Sequence, residues 1–250
     1  MINNNPILFF DSGIGGLTTL LECVKILPNE HYLYFADEDN IPYGNKNSKV
    51  ISCSIEKTLT RLIKEHQPKI VVLACNTATA LVLAKIRRKF KQIIFVGTEP
   101  AIVPAMKKNK KTLVLCTKNT KKHSKVMVLC NNYYNFKCVC PQKLAMLIEQ
   151  NYTNLEALNP YLETLFKKVK AQFDCVVLGC THYVFCKKQI QKILGNDVSV
   201  LDGNEGVANR VKYCVDVFNM KGEDGGVRFL NKGKTYNHLV CAYTHLLGGC

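Results

Sequence analysis

The sequence predicts an α/β protein built from two similar halves, each containing a mainly parallel β-sheet. Short apolar runs alternate along the chain with stretches whose apolar residues recur at helical spacing, which is typical of parallel strands joined by helices. In addition, two stretches repeat one another, KIVVLACNT at residues 69–77 and DCVVLGCTH at residues 174–182. Each is an apolar, largely β-branched run that ends in a cysteine followed by small polar residues.

The repeated stretches predict where a functional site lies. An apolar run of this kind is expected to form a strand buried on both faces. The polar residues after it then lie at the carboxyl edge of a parallel sheet, where open α/β folds bind ligands. We therefore expect Cys75 and Cys180 to face each other across a cleft between two sheets.

In the first half, strands and helices are predicted in alternation. A glycine-rich turn, Asp11–Gly16, follows the first strand, a polar loop at 37–44 follows the second, and Ser48 is expected to cap a long helix that ends before Pro68. The predicted strands cover residues 7–10, 32–36, 70–74 and 93–96. The predicted helices cover residues 17–27, 48–67 and 77–90.

The second half is predicted to begin after a crossover at Gly97–Pro104, which interrupts the alternation. The predicted strands cover residues 112–116, 126–130, 136–140, 175–179, 198–201 and 227–230. The predicted helices cover residues 144–150, 154–172 with a bend at Pro160, 183–194, 205–219 and 237–247. Accordingly, we expect a first domain of residues 1–97 completed by residues 206–250, and a second domain of residues 98–205.

Composition limits the class of protein. The chain has 250 residues, of which 47% are hydrophobic and 21% charged, so a folded core is expected and disorder is not. The first residues do not resemble a secretion signal, and no apolar run approaches the ~20 residues of a membrane span. A soluble, cytoplasmic protein with no membrane partner is the expectation.

The thirteen cysteines do not predict a disulfide framework, because their number is odd and no export signal is evident. Cys138 and Cys140 would share one face of a strand, but the sequence shows no obvious further ligands, so no metal is expected. Most cysteines should pack as small apolar residues.

The net charge of +15 comes largely from lysines, which cluster at residues 107–111 and 118–125. Few aromatic residues are interleaved with them and no nucleic-acid-binding motif occurs, so we expect a solvated surface and no nucleic-acid partner. The positive field can still raise the encounter rate of an anionic small molecule.

Two thiols on opposite sides of a ligand suit one kind of chemistry. A tuned thiol exchanges protons near neutral pH, so one can remove a proton from a carbon while the other returns one to the opposite face. Such a stereoinversion needs no metal or organic cofactor. The alternative for Cys75 and Cys180 is that they simply pack.

Residues near the two thiols also have two interpretations each. Asp11 either caps the next helix or exchanges a proton with a thiol, and His182 is either structural or sets the protonation of Cys180. The glycines at 13, 15 and 16 do not match a dinucleotide-binding pattern and more plausibly bring backbone N–H groups close to a small anion.

Other cysteine chemistries fit less well. A cysteine phosphatase loop requires an arginine six residues after the thiol, where this chain has Leu81 and Cys186. A papain-like arrangement requires the cysteine and the histidine to lie far apart in sequence.

Taken together, the motifs resemble the glutamate racemase family of the aspartate/glutamate racemase superfamily, over nearly the whole chain. The resemblance rests on Asp11–Leu17, Pro42–Gly44, Ala74–Ala78, Thr117 with Thr120, Glu149 and Gly179–Tyr183. It implies two α/β domains related by a pseudo-twofold, with the active site in the cleft between them. Two positions depart from the family pattern, namely Val184, where proline is usual, and the loop Thr117–Thr120, which usually contains more glycine.

The resemblance also implies the site residues. Cys75 and Cys180 would be the acid–base pair, with Asp11, Glu149 and His182 as their auxiliaries. Asp11 and His182 would also contact the substrate, together with Ser12, Pro42, Tyr43, Gly44, Asn76, Thr77, Thr117, Thr120 and Thr181.

The activity implied is cofactor-independent racemisation of L-glutamate to D-glutamate, which supplies peptidoglycan synthesis and thereby cell-wall biogenesis and cell shape. We further expect a homodimer. An aspartate racemase of the same superfamily, a non-catalytic amino-acid-binding protein and a nucleic-acid-binding protein are the alternatives.

Overall fold

The strands of the chain form two sheets, and every pairing within them is parallel. The structure is a computed structural model that describes residues 3–107, 111–130, 135–167 and 172–248. In these ranges the strands are β1 (Ile7–Asp11), β2 (His31–Ala36), β3 (Ile70–Leu73), β4 (Ile94–Gly97), β5 (Thr112–Cys116), β6 (Phe136–Val139), β7 (Cys175–Gly179), β8 (Ser199–Leu201) and β9 (Gly226–Phe229).

The two sheets share one topology. The first has the strand order β4-β3-β1-β2-β9, and the second, read in the corresponding direction, has the order β8-β7-β5-β6. Therefore β3 and β7, which carry the repeated stretches, occupy equivalent positions beside β1 and β5. The predicted α/β fold with two parallel sheets is confirmed.

Helices follow most of the strands. They are α1 (Leu17–Ile26), α2 (Ser48–His66), α3 (Asn76–Lys89), α4 (Ile102–Lys107), α5 (Lys118–His123), α6 (Lys125–Cys130), α7 (Leu144–Asn151), α8 (Asn159–Phe166), α9 (Lys187–Leu194), α10 (Asn204–Val217) and α11 (Gly233–Leu246). Short 3-10 helices cover Glu38–Asn40, Tyr43–Asn45, Leu155–Leu158 and Thr181–Cys186. In the ranges described, no helix is both long and apolar enough to cross a membrane.

Alternate residues of β1 face two different cores. Ile7 and Phe9 belong to a large apolar cluster that also contains Leu113 and Leu115 of the second sheet, so this core is shared by both halves. Leu8 and Phe10 face the opposite way and pack with α2 and α3. Burial on both faces explains why these strands are almost uniformly apolar.

The strand predicted at residues 126–130 is wrong, because this segment is the helix α6. Both sides of β5 are already paired, with β6 and β7, so no position beside it is left for another strand. Ser124 begins the helix instead: its hydroxyl accepts a hydrogen bond from the N–H of Met127 at 3.3 Å.

The single helix predicted at 154–172 is also wrong. A 3-10 helix at Leu155–Leu158 is followed by α8 at Asn159–Phe166, and residues 168–171 lie outside the described ranges. Pro160 stands in the first turn of α8, where its missing N–H costs no hydrogen bond. It therefore helps to begin a helix rather than to bend one.

Several predicted boundaries shift. The helix predicted at 183–194 divides into the 3-10 helix Thr181–Cys186 and α9, and the tail helix begins at Gly233 instead of 237. The crossover at 97–104 contains the start of α4. The cap of α2 is Asn47 rather than Ser48, because the Asn47 side chain accepts hydrogen bonds from the N–H groups of Lys49 and Val50.

Candidate active site

Cys75 and Cys180 line one cavity between the two sheets. Cys75 lies just beyond β3 and is the N-cap residue of α3, whereas Cys180 directly follows β7. Since β3 and β7 hold equivalent positions, the two thiols come from equivalent sheet edges. Both are buried, with 6% and 7% of their surface exposed.

The surroundings of Cys75 are acidic and apolar. Its sulfur lies 3.8 Å from the hydroxyl oxygen of Ser12, and Asp11 is close enough to influence it electrostatically. Burial raises the pKa of the Cys75 thiol well above its ordinary value, the negative charge of Asp11 adds to this, and the N–H of Ala78 opposes it. Cys75 is therefore a neutral thiol near neutral pH.

Asp11 joins the turn that follows β1 to the loop that carries Cys180. Its Oδ1 accepts hydrogen bonds from the N–H of Gly13 at 3.1 Å and from the hydroxyl of Ser12 at 3.4 Å. Its Oδ2 accepts one from the hydroxyl of Thr181 at 3.2 Å, on the opposite half. Burial raises the pKa of Asp11 to about 6, although the charge of His182 and the N–H of Gly13 lower it.

Glu149, on α7, holds His182 beside Cys180. The two side chains meet at 2.5 Å between Oε2 and Nε2, and His182 also hydrogen-bonds to the Cys180 thiol. Burial lowers the pKa of His182, but the hydrogen bonds to Cys180 and Glu149 outweigh it and the pKa stands well above the ordinary value. His182 is therefore an imidazolium at neutral pH.

Two further groups hold the Glu149 carboxylate. His238 of α11 lies 3.1 Å from Oε1 through its Nε2, and the N–H of Ile14 donates to both oxygens at 3.3 and 3.2 Å. Burial raises the pKa of Glu149, but the hydrogen bonds from His182 and His238 outweigh it and bring the pKa down to about 2. Glu149 is consequently ionised across the physiological range.

Three hydroxyl groups join the two halves at another wall of the cavity. Thr77 Oγ1, at the start of α3, lies 2.9 Å from Thr117 Oγ1 and 3.3 Å from Thr120 Oγ1. Thr117 donates in turn to Thr120 at 2.9 Å. Hydroxyls can both donate and accept, so this cluster can rearrange to bind a polar ligand.

The turn at 42–44 completes that wall. The Tyr43 hydroxyl donates to Asp37 and its carbonyl accepts from Asn119 at 2.8 Å, which fixes the turn against α5. A Cβ at Gly44 would lie 2.6 Å from the Cβ of Thr117, so only glycine permits this approach.

The residues predicted for the site fall into two layers. Those that line the cavity are Ser12, Pro42, Tyr43, Gly44, Cys75, Thr77, Thr117, Cys180 and His182. Asp11, Asn76, Thr120, Glu149 and Thr181 lie behind this lining and hold it in place. Asn76, for example, donates to the carbonyl of Thr98 at 3.1 Å instead of pointing into the cavity.

Comparison with known proteins decides the family. The model of the Asp/Glu/Hydantoin racemase family matches residues 19–211. The glutamate racemase of Clostridium novyi is 35% identical over 257 residues, covering 99% of this chain and 98% of that protein. The glutamate racemase of Clostridium kluyveri is 38% identical over 247 residues, covering 96% and 94%. The chain belongs to the Asp/Glu/Hydantoin racemase family. It is an amino-acid racemase.

The architecture also agrees with this racemase family. The crystal structure of Escherichia coli glutamate racemase, in complex with L-glutamate and the activator UDP-MurNAc-Ala, superposes with a TM-score of 0.81 at 26% identity. The match covers 96% of this chain and 95% of that one. For a racemase, the arrangement provides one thiol from each sheet edge, an aspartate beside the first and an imidazolium beside the second.

Two residues of the racemase site were missed by sequence reasoning. His238 reaches Glu149 from the tail helix, and no motif surrounds it in the sequence. Cys140 lines the cavity beside Pro141 and Gln142, although it was expected only to share a strand face with Cys138. Neither position is visible in the sequence, because each depends on how distant elements pack in the tertiary structure.

Proposed function

We propose that this racemase interconverts L- and D-glutamate without a cofactor, by proton transfer between the α-carbon and two thiols. The observation that supports this most strongly is that Cys75 and Cys180, from equivalent sheet edges, line one cavity. Each enantiomer presents its α-hydrogen to only one side, so each thiol would be the base in one direction and the acid in the other.

The two thiols have different surroundings, which supports a different role for each in the conversion of L-glutamate to D-glutamate. His182, which carries a positive charge, hydrogen-bonds to Cys180 and lies on this side of the cavity only. Cys75 is held as a thiol by burial and by Asp11, so it can act as an acid. Cys180 would thus remove the proton of L-glutamate while Cys75 supplies one to the opposite face.

The α-carboxylate of the substrate would be bound by backbone N–H groups and hydroxyls. The N-terminus of α3 follows Cys75 directly, and the hydroxyls of Thr77 and Thr117 stand beside it. No arginine lines the cavity in the part of the chain that the structure describes. Arg87 is occupied elsewhere, by the carbonyl of Phe95 at 2.7 Å.

The proposed mechanism sets the distance between the two sulfurs when substrate is bound. Each must approach the α-carbon to ~3–3.5 Å, so they should lie roughly 6–8 Å apart in a closed complex with substrate. A crystal structure with bound glutamate would measure this separation.

The activity is tested by incubating the purified chain with L-glutamate and, in parallel, L-aspartate, with no cofactor added, and following the circular dichroism of the amino acid. Loss of the glutamate signal with a stable aspartate signal supports the proposal. Faster loss of the aspartate signal would favour an aspartate racemase. No change with either would contradict the proposed substrate.

The cellular role follows from the product. We propose that the protein works in the cytoplasm as a homodimer and supplies D-glutamate for peptidoglycan. We also propose that its first domain comprises residues 1–97 and 206–250, and its second domain residues 98–205. Expression in a bacterium that requires external D-glutamate should restore growth without it. Light scattering of the purified protein would measure the oligomeric state.

A further inference from the structure

Three cysteines outside the acid–base pair converge on one side of the second sheet. Cys116 ends β5, Cys138 lies in β6, and Cys140 follows that strand two positions later. The register places Cys138 opposite Val114, so Cys116 and Cys140 project from neighbouring strands toward the same apolar cluster. All three sulfurs lie within 4.8 Å of one another, and those of Cys116 and Cys138 are 3.4 Å apart.

These separations suit a tetrahedral metal–thiolate centre. With Zn–S bonds of about 2.3 Å, the sulfurs of such a centre lie about 3.8 Å apart. The Cys116 and Cys138 sulfurs, 3.4 Å apart, are slightly closer than this, and no pair of the three is more than 4.8 Å apart. Small rotations of the three side chains, without movement of the paired strands, would therefore form three bonds to one ion. A disulfide, in contrast, joins only two of the three sulfurs.

The charge around the cluster suits bound thiolates. Lys121 and Lys118 lie close enough to the Cys140 side chain to act on it electrostatically. A divalent ion with three thiolates carries one net negative charge, which these lysines would offset. On binding, the three sulfurs donate their lone pairs to the ion and the protons still held by the thiols pass to solvent.

The cluster has both an entry path and an open coordination position. Cys116 is fully buried, Cys138 is half-buried, and Cys140 is half-buried and lines the active-site cavity. An ion would therefore enter from the cleft, and a water from the cleft would complete the tetrahedron. We propose that Cys116, Cys138 and Cys140 bind a thiophilic divalent cation, Zn²⁺, in the wall of the active-site cleft.

The full-length chain, reduced with a phosphine and freed of metal with a chelator, would be titrated with Co²⁺ as a spectroscopic probe and then with Zn²⁺. A Co²⁺ ion with thiolate ligands gives charge-transfer absorption in the near ultraviolet, whereas one with only oxygen or nitrogen ligands does not. We expect the absorption to saturate at one ion per chain and to disappear when one equivalent of Zn²⁺ is added.

Matched variants locate the ligands. Cys138→Ser and Cys140→Ser should each reduce or abolish the absorption, whereas Cys53→Ser, which changes an exposed cysteine, should leave it intact. The double variant Cys75→Ser/Cys180→Ser should also retain it, which separates the proposed site from the acid–base pair in the same cavity. Far-ultraviolet circular dichroism of each metal-free variant checks that it is folded.

Three results would overturn the proposal. One is a wild-type protein whose thiols are free but give no thiolate absorption with Co²⁺. Another is equal absorption in wild type and in both Cys138→Ser and Cys140→Ser. The third is loss of the absorption in Cys75→Ser/Cys180→Ser, which would assign the ion to the acid–base pair. None of these results depends on whether the substrate is glutamate.

Discussion

At the scale of single residues, Glu149 is the group on which the protonation of the site depends most. It is ionised and buried, and His182, His238 and the N–H of Ile14 all hydrogen-bond to it. Its negative charge is one of the causes that hold the pKa of His182 above the ordinary value. The charge state of His182, and with it the environment of Cys180, therefore depends on Glu149.

Replacing this charge should change the pH dependence of catalysis. In Glu149→Gln the pKa of His182 falls, so the imidazolium is lost at lower pH and the alkaline limb of the kcat/KM profile moves to lower pH. His238→Gln should leave the limb close to its wild-type position, because Glu149 keeps its charge. Glu65→Gln, at an exposed site on α2, is the control. A Glu149→Gln profile that falls in height with no shift of the limb would contradict this role.

Asp11 is expected to reduce stability at neutral pH. Its pKa is raised to about 6 by burial, so as the pH rises the unfolded chain releases this proton before the folded protein does. Stability contributed by the neutral carboxyl is complete only below pH ~4 and is lost as the pH rises from there through ~6, by up to ~3 kcal/mol for a shift of about two units.

The variant Asp11→Asn removes this dependence. The variant should become more stable relative to wild type, with a larger free energy of unfolding, as the pH rises from about 4 to about 8. Racemisation should be lost. Urea unfolding at both pH values measures the change. A difference between the proteins that is the same at both pH values would show that Asp11 titrates like an exposed aspartate.

At the scale of elements, sequence patterns predicted the strands well, because the apolar runs of β1, β3, β5 and β7 are buried on both faces. They failed at α6, where the apolar run containing Val126 and Met127 has strand-like composition, but both positions beside β5 are taken by β6 and β7. The 3-10 helix after Cys180 was likewise missed, since helical periodicity does not distinguish it from the first turns of α9.

The Asp11–Gly16 turn is an element whose glycines are needed for close approach. A Cβ at Gly15 would lie 2.5 Å from Thr181 Oγ1, 2.6 Å from His182 Nδ1 and 2.8 Å from the His182 backbone nitrogen. Gly15→Ala should push this turn away from the loop that carries Cys180, and thus lower kcat/KM strongly.

Gly206 in α10 offers a matched control, because a Cβ there meets nothing within 4 Å. Gly206→Ala should keep full activity and gain up to about 0.5–1 kcal/mol of stability, because alanine favours the helical conformation more than glycine does, even in this first turn. Activity assays and urea unfolding of both variants test the pair. Near-normal activity of Gly15→Ala would contradict the close approach of the two loops.

At the scale of the whole molecule, a buried ion pair ties the tail of the chain to the first sheet. Lys69 Nζ lies 2.5 Å from Glu30 Oε2 and donates to the carbonyls of Asn3 and Met220, both at 2.6 Å. Glu30 also accepts from the N–H of Gly222 at 2.9 Å. These contacts hold the segment that leads into β9 at the edge of the sheet.

Breaking this pair should be costly. Lys69→Met leaves the Glu30 carboxylate buried without its cation, which typically costs about 3–5 kcal/mol. The exposed pair Lys25–Glu22 is the comparison, and Lys25→Met should cost only ~0–1 kcal/mol. Urea unfolding measures both. Equal losses in the two variants would mean that the buried pair does not anchor the tail.

Much of the candidate site could be predicted because its residues lie in short motifs next to strand ends. Asp11, Cys75, Cys180, His182 and Glu149 do come together, although their catalytic roles remain predictions. The contribution of His238 could not be predicted, since it approaches from a helix far along the chain. Similarly, Cys116 was not linked to Cys138 and Cys140, because only the pairing of β5 with β6 brings them together.

Isotope exchange by single variants in heavy water tests most directly whether two thiols act on one carbon from opposite sides. Both Cys75→Ala and Cys180→Ala should fail to racemise glutamate in either direction, because each turnover uses both thiols. Cys75→Ala should still exchange the α-hydrogen of L-glutamate slowly, and Cys180→Ala that of D-glutamate. Racemisation by either variant at a rate near wild type would contradict the account, since one base would then suffice.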